Sequence, residues 1–381
     1  MTSQPGPVVA PTQPAATRGP VRIVGTGLLG ASIGLALRAL GVDVVLADPS
    51  RTTVLLARDV GAGRLPAPDD APPRLVVVAA PPDVTGEVVV AELAAHPQAV
   101  VTDVASVKGA VIAALRAAGA DLTRYVGSHP MAGSERSGPT AARPDLFTGR
   151  PWVVVGTERS TGEAVLVVRD LVTDLGATPV LLDAGLHDEA VAVVSHVPQI
   201  AASLVAARLR DADPAALDLA GQGLRDVTRI AAGDPALWTS ILTANAGAVL
   251  PVLQALRSDL DEVIGALGQV AAAARAEGAG GGALGVLAAT IAAGNAGVSR
   301  IPGKHGGVRR AYDVVTVLVP DRPGELARLL ADMGAAGINL EELAIEHAPR
   351  QPVGLASLAV LRGLGSELET ELTARGWRVA G

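Results

Sequence analysis

Through the first half of the chain, short runs of β-branched and aliphatic residues alternate with longer stretches of helical periodicity. Val21 to Gly25, Val42 to Ala47, Leu75 to Ala80, Ala99 to Val104 and Arg124 to Ser128 each read as a buried strand, with helices such as Val84 to Ala95 and Gly109 to Ala118 between them. That alternation predicts an α/β domain over residues 20–184 built on a doubly wound parallel sheet. Strands at Pro151 to Val155 and Thr178 to Leu182, around a helix from Gly162 to Leu175, close it. From Leu186 strand character stops, and Ala/Val/Leu helices predict an all-helical domain over 185–294. A glycine-rich connector, 295–311, leads into a third pattern over 312–381: a strand from Asp313 to Val319, a helical stripe of Leu326, Leu329, Leu330 and Met333, strands at Asn339 to Glu346 and Leu355 to Leu361, a helix from Ser366 and a last strand from Trp377 to Ala380. The order βαββαβ predicts a ferredoxin-like α+β unit. Pro323 in the turn Asp321 to Gly324 suits a helix's first residue.

The 381 residues are 49% hydrophobic, which raises the question of a membrane protein. Gly, Asp, Arg or Pro breaks every uninterrupted apolar run before it reaches spanning length, so a soluble chain is expected. Residues 1–19, rich in Pro, Ala, Thr and Gln, have neither the basic start nor the apolar centre of a secretion signal and read as a disordered tail. Cysteine is absent, which excludes disulfides, thiolate catalysis and cysteine metal sites and fits a cytoplasmic protein. A net charge of −7 argues against nucleic acid as a partner. It also means that an anionic ligand must be met by local cations.

Candidate chemistry clusters just after strands. Gly25-Thr26-Gly27-Leu28-Leu29-Gly30 is a GxGxxG turn in the strand-turn-helix setting such a motif requires. Gly25 permits the turn, Gly27 a close approach of a pyrophosphate to the Leu28 and Leu29 end of the helix, and Gly30 the packing of helix on sheet. Asp48 ends the next strand at the distance expected of a ribose-binding acid and favours NAD over NADP, although Arg51 follows it. In a doubly wound sheet the ends carrying Pro81-Pro82, Ser106 with Lys108, and His129 share one edge. Ser106 is either a cap for the helix near Lys108 or a substrate contact, and Lys108 reads as a surface residue at a helix start. His129, leaving its strand into a loop of small polar residues, is expected to titrate near neutral pH as a general base or to be a simple turn residue.

The segment His129-Pro130-Met131-Ala132-Gly133-Ser134-Glu135 resembles the signature of the prephenate and arogenate dehydrogenases, the NAD(P)-dependent enzymes of tyrosine biosynthesis. Asp103 to Gly109 resembles the family's second signature. The segment from His187 to Gln199 resembles the opening of its helical domain, with Gln199 where many members have histidine, and Gly221 to Trp238 resembles a further pattern containing Thr228-Arg229-Ile230-Ala231. Asp321 to Ala327 with Gly337 to Leu343 resembles the ACT domain, an amino-acid-sensing module.

The resemblance implies an α/β Rossmann domain, an all-helical dimerisation domain and an ACT domain, in a cytoplasmic homodimer that needs no metal. It implies His129 as the base, assisted by Ser106, with Arg229 gripping a substrate carboxylate. Ser134, Glu135, His187, Ser195 and Gln199 would complete the substrate site, and Asp321, Gly324, Asn339 and Leu340 a regulatory site for tyrosine. His196 reads instead as packed core, Trp238 as core or interface, and Asn245 as support. The loop Arg300 to Gly307 is either an anion site or a connector. The expected reaction is oxidative decarboxylation of prephenate, with arogenate as the alternative substrate. Two rivals are another β-hydroxyacid dehydrogenase and a non-catalytic amino-acid sensor.

Overall fold

Strand β1 (Val21–Val24) runs through the middle of a parallel sheet with β2 (Val44–Ala47) on one side and β3 (Leu75–Val78), then β4 (Val100–Asp103), on the other. These strands belong to a computed structural model that describes residues 14–133, 137–275, 282–302, 312–347 and 352–380. All four residues of β3 are buried, as expected of a parallel strand covered by helices on both faces. Those helices are α1 (Leu28–Ala39), α2 (Arg51–Asp59), α3 (Pro82–Ala95) and α4 (Gly109–Ala117). The strand order reverses between β1 and β3, which creates the switch point where such sheets bind ligands.

Strand β5 (Val126–Pro130) continues alongside β4 through a parallel bridge between Val101 and Tyr125. The next strand departs from the expected parallel pattern. β6 (Pro151–Gly156) is antiparallel to β5, while β7 (Thr178–Leu181), reached through α5 (Gly162–Asp174), is parallel to β6. The reason is local: among its described residues the 131–150 connection holds only a 3-10 turn, Pro139–Ala141, and no crossover helix to return the chain in the same direction.

Contacts divide the chain into two units, the first comprising residues up to Leu204 with Ile230–Gln254 and the second Val205–Arg229 with the chain from Ala255. α6 (Ala184–Val191), a π turn (Ala192–His196) and α7 (Val197–Arg208) follow one another without a break, all but the last four residues of α7 in the first unit. One described helical stretch, Ala184–Asp211, is by length and composition apolar enough to cross a membrane, although no uninterrupted apolar run within it reaches that length. A single Asp or Pro interrupts an apolar run without interrupting a helix. Here His187, His196 and Gln199 are buried within the first unit. α10 (Pro235–Ala244) is capped by Asp234 and carries Pro235 in its first turn.

The second unit contains the short helices α8 (Pro214–Leu217) and α9 (Gln222–Thr228), part of α11 (Ala246–Arg275), and α12 (Ala283–Ser299). It also holds the βαββαβ pattern: β8 (Tyr312–Pro320), α13 (Glu325–Ala335), β9 (Glu342–His347), β10 (Val353–Leu361), α14 (Gly365–Ala374) and β11 (Arg378–Ala380). The sheet order is β11-β8-β10-β9 with every pair antiparallel. Alternating residues Ala356, Leu358 and Val360 of β10 pack with Leu329 and Met333 of α13 and Leu368 and Leu372 of α14. Pro323 lies outside the helix it was expected to open. Gly324, at φ +90°, precedes α13 instead, a backbone conformation that favours glycine.

Candidate active site

The glycine turn after β1 separates into positions that cannot hold a side chain and one that can. A Cβ on Gly25 would lie 2.4 Å from the Ala79 carbonyl oxygen, and one on Gly30 would lie 1.9 Å from that of Gly25. Around Gly27 such an atom meets nothing within 4 Å. The crowded glycines let α1 sit against the sheet, and the open one leaves room over the helix N-terminus, where no side chain caps the backbone N–H groups. Oδ2 of Asp48 accepts from N and Oγ1 of Thr26 at 2.7 and 2.9 Å, and its Oδ1 accepts from Ser50 N at 2.8 Å. The acid therefore braces the turn while Oδ1 keeps a lone pair for a ribose hydroxyl. Cleared space over Gly27 and an uncapped helix end fit a dinucleotide pyrophosphate.

His129 sits within β5, paired to Val153 of β6, not in a loop beyond the strand, and it is 9% exposed. Burial first, and then the repulsion that a second positive charge would meet from its neighbours His187, Lys108 and His196, hold its imidazole well below the ordinary histidine range. The expectation of a freely titrating side chain is therefore corrected: His129 is neutral at pH 7. Its Nδ1 lies 2.9 Å from Nε2 of His187, and Nδ1 of His187 lies 2.7 Å from Oδ1 of Asp188. His187 is wholly buried with both ring nitrogens engaged, so it is not the substrate-facing group expected from the sequence.

Asp188 has a second task. Its Oδ1 and Oδ2 accept from the N–H groups of Lys108 and Gly109 at 2.9 and 2.8 Å, the donors at the start of α4. Burial raises its pKa, but bonds from His187, Lys108 N and Gly109 N outweigh this and hold the carboxyl below its usual range. Asp188 is thus the cap, which was one of the two roles open to Ser106. Ser106 is half-buried and makes no side-chain hydrogen bond among the described residues.

Lys108, expected at the surface, is completely buried. Its ammonium pairs with Asp103 Oδ1 and donates to the Ser128 carbonyl at 2.7 Å, while Tyr125 donates its hydroxyl to Asp103 Oδ2 at 2.6 Å. Burial lowers the lysine's pKa against the opposing charges of Asp103 and Asp188, and burial together with Asp103 pushes the tyrosine's well up. The cluster bolts the end of β4 to β5 one residue before His129.

Behind the histidine pair, Asn245 Nδ2 donates to the Asp188 carbonyl at 2.8 Å and lies 3.0 Å from Nδ1 of His196. The ring of His196 is nearly perpendicular to that of Trp238, with centroids 6.1 Å apart. Nine residues of ideal helix would put His187 and His196 on opposite sides, since each adds about 100°. The extra residue of the π turn removes about 100° of that, which brings His196 toward the face that carries His187. Ser195 is half-buried, and the buried Gln199 donates weakly to Ser203 Oγ at 3.4 Å. In the second unit Arg229 is exposed and follows α9, opening a 3-10 turn. Asp226 is bonded to Gln222, and Arg229 makes no ion pair among the described residues. Ser134 and Glu135 lie outside the described residues, as does most of the Arg300 to Gly307 loop.

In the βαββαβ unit Asp321 and Asn339 are exposed, the Asp321 N–H donates to the Pro352 carbonyl, and Asn339 donates to Glu341. Gly324 and Leu340 occupy the same two turns.

The fold and site define a nicotinamide-dependent dehydrogenase in which a dinucleotide-binding domain is followed by a helical one. The chain belongs to the prephenate dehydrogenase family: residues 33–181 match its nucleotide-binding domain and residues 183–273 its dimerization domain. It is 40% identical to a probable prephenate dehydrogenase, NovF, of Streptomyces niveus over 93% of this chain and 98% of that protein. It is 30% identical to the cyclohexadienyl dehydrogenase of Zymomonas mobilis, over 64% of this chain and 86% of that one. Among solved structures it is similar to the Aquifex aeolicus prephenate dehydrogenase in complex with hydroxyphenyl propionate and NAD+. The TM-score is 0.59 at 27% identity, covering 68% of this chain and 93% of the other. Synechocystis arogenate dehydrogenase aligns with a TM-score of 0.55 at 30% identity, covering 65% and 91%.

Sequence reasoning missed the buried cluster of Lys108, Asp103 and Tyr125, the π turn, and the double use of Asp188. One signal was available: α4 begins at Lys108-Gly109 with no capping side chain at that position, so its first N–H groups needed an acceptor from elsewhere.

Proposed function

We propose that the chain catalyses the NAD-dependent oxidative decarboxylation of prephenate to 4-hydroxyphenylpyruvate. The observation that carries this reading is the neutral, buried imidazole of His129 in β5, a strand bridged to β4 beside the sheet that holds the Gly25–Gly30 turn. NAD, when bound, supplies the hydride acceptor; Gly25, Gly27, Leu28, Leu29 and Gly30 would hold its pyrophosphate and Asp48 its ribose. His129 takes the proton of the ring hydroxyl as hydride leaves the same carbon. Loss of the ring carboxylate as carbon dioxide sends its bonding electrons into the ring, and His129 returns the proton to the phenolate. Ser106 orients the hydroxyl, Arg229 binds a carboxylate, and Ser134, Glu135, Ser195 and Gln199 are the remaining candidates around the substrate.

Four segments belong to the same proposal: 20–184 for the dinucleotide, 185–294 for substrate and dimerisation, 295–311 as linker and 312–381 as an ACT domain. That last domain would bind tyrosine near Asp321, Gly324, Asn339 and Leu340. The exposed Leu256, Leu260, Ile264 and Leu267 of α11, at helical spacing, support a homodimer. The enzyme is proposed to be cytoplasmic. A second reading, arogenate to tyrosine, is supported by the uncharged Gln199 and by the likeness to the Synechocystis enzyme.

Steady-state NADH formation with prephenate and with arogenate, each repeated with added tyrosine, tests all of this together. Faster turnover of prephenate, slowed by tyrosine, is expected. No NADH from either substrate would overturn the enzymatic reading in favour of a sensor.

A further inference from the structure

We infer that Asp188 and His187 are positioning residues that hold His129 as its Nδ1–H tautomer, so that Nε2 is the nitrogen that accepts the proton. The inference rests on the reading of His129 as the base. An ionised carboxylate can only accept, so the contact between Asp188 Oδ1 and His187 Nδ1 fixes the proton of His187 on Nδ1. Nε2 of a neutral His187 then carries a lone pair, and the 2.9 Å contact to His129 requires the hydrogen to sit on Nδ1 of His129. His187 is fully buried, so water does not compete for either contact. One site in the pair of rings is left to accept a proton, Nε2 of His129.

The origin of this chain of assignments is itself fixed. Asp188 is held by the Lys108 and Gly109 N–H groups at the N-terminus of α4, and its own carbonyl is held by Asn245. A carboxylate there is favoured by the helix dipole and remains ionised. When His129 gains its proton, the charge lies one imidazole away from that carboxylate, and Nδ1–H already points along the path toward it. The logic is that of an acid-histidine pair, with a second ring inserted between the acid and the working base.

The test combines turnover with the ring-nitrogen NMR spectrum of the full-length, [15N]histidine-labelled protein, with His129 assigned through His129→Asn. The wild-type spectrum is expected to show His129 protonated at Nδ1 and bare at Nε2. His187→Leu should lower kcat by roughly 10²- to 10⁴-fold while the KM for prephenate moves by less than about threefold. His187→Gln, whose amide oxygen can accept from Nδ1–H, should recover about tenfold of that loss. Asp188→Asn has one acceptor oxygen for three donors, so its NH2 must face His187 or a backbone N–H of α4; it should loosen the hold on His187 Nδ1–H and give a lowered kcat with a mixed Nδ1–H and Nε2–H signal on His129.

A wild-type His129 protonated at Nε2 would overturn the inference, as would a His187→Leu variant with unchanged kcat and a raised KM. Should His187→Leu fail to fold, Asp188→Asn and the wild-type spectrum still decide it. Absence of NADH from both cyclohexadienyl substrates would sink the functional reading alone, since the spectrum needs no substrate.

Discussion

Nδ1 of His129 lies 2.9 Å from Nε2 of His187, so a buried imidazole in the segment that matches the nucleotide-binding domain is hydrogen-bonded to a side chain of the segment that matches the dimerization domain. A bond of this kind fixes ring orientation as well as proton position. It makes the imidazole at 129 a rigid, neutral acceptor in the free protein.

Replacing His129 by Asn removes the acceptor while keeping a polar side chain of similar reach. kcat should fall by roughly 10²- to 10⁴-fold, the range for a positioned acid-base group. NAD affinity, measured by titration of the free enzyme, should stay unchanged because the glycine turn is untouched.

The depressed pKa of His129 has a sign that pH profiles can read. If His129 is the base proposed above it acts unprotonated, so kcat/KM should hold as the pH falls through 6.5 and decline only on the acid side of the ordinary imidazole range. Stability moves the other way. Below about pH 6.5 the unfolded chain protonates His129 and His196 while the folded protein resists, so acidification favours unfolding through that window. Urea midpoints at pH 8 and pH 5.5 should differ, with the lower value at pH 5.5.

Two glycines of one motif should fail differently. Gly27→Ala should fold with an unchanged Tm, because its Cβ meets nothing, yet bind NAD more weakly by filling the space over the helix end. Gly30→Ala places a methyl 1.9 Å from the Gly25 carbonyl oxygen and should cost about 1–3 kcal/mol or more in stability. Calorimetry and cofactor titration on both variants separate the two.

Lys108→Met should destabilise the protein by about 3–5 kcal/mol, because Asp103 would stay buried without its cation. Adding Asp103→Asn should restore part of the loss, since the amide oxygen can accept from the Ala105 N–H while the amide NH2 donates to the Tyr125 hydroxyl oxygen. Chemical denaturation of the single and double variants measures both effects.

The strand pattern of the first 130 residues was legible because parallel strands buried on both faces are written as continuous apolar runs, and the glycine turn because each glycine answers a steric demand. The βαββαβ order was legible for the same reason, through the alternation in β10 and the stripe in α13. The antiparallel β6 was not, since nothing in residues 131–150 announces the missing crossover helix. Lys108 was misplaced because a lysine's burial depends on an acid five residues earlier and a carbonyl twenty residues later. His187 looked like a ligand and Asp188 was assigned no role, although polar residues on an apolar helix need partners. Only the fold reveals that those partners are another histidine and the start of α4.

The carboxylate at 188 ties together two stretches that protein families often exchange separately. A fragment ending at Leu182 would keep the turn that greets the dinucleotide, yet its imidazole would hang loose and α4 would start uncapped. Gene fusion or recombination at that junction should therefore yield proteins that still recognise the cofactor but have lost their chemistry, so the two stretches are expected to be inherited as a single cassette.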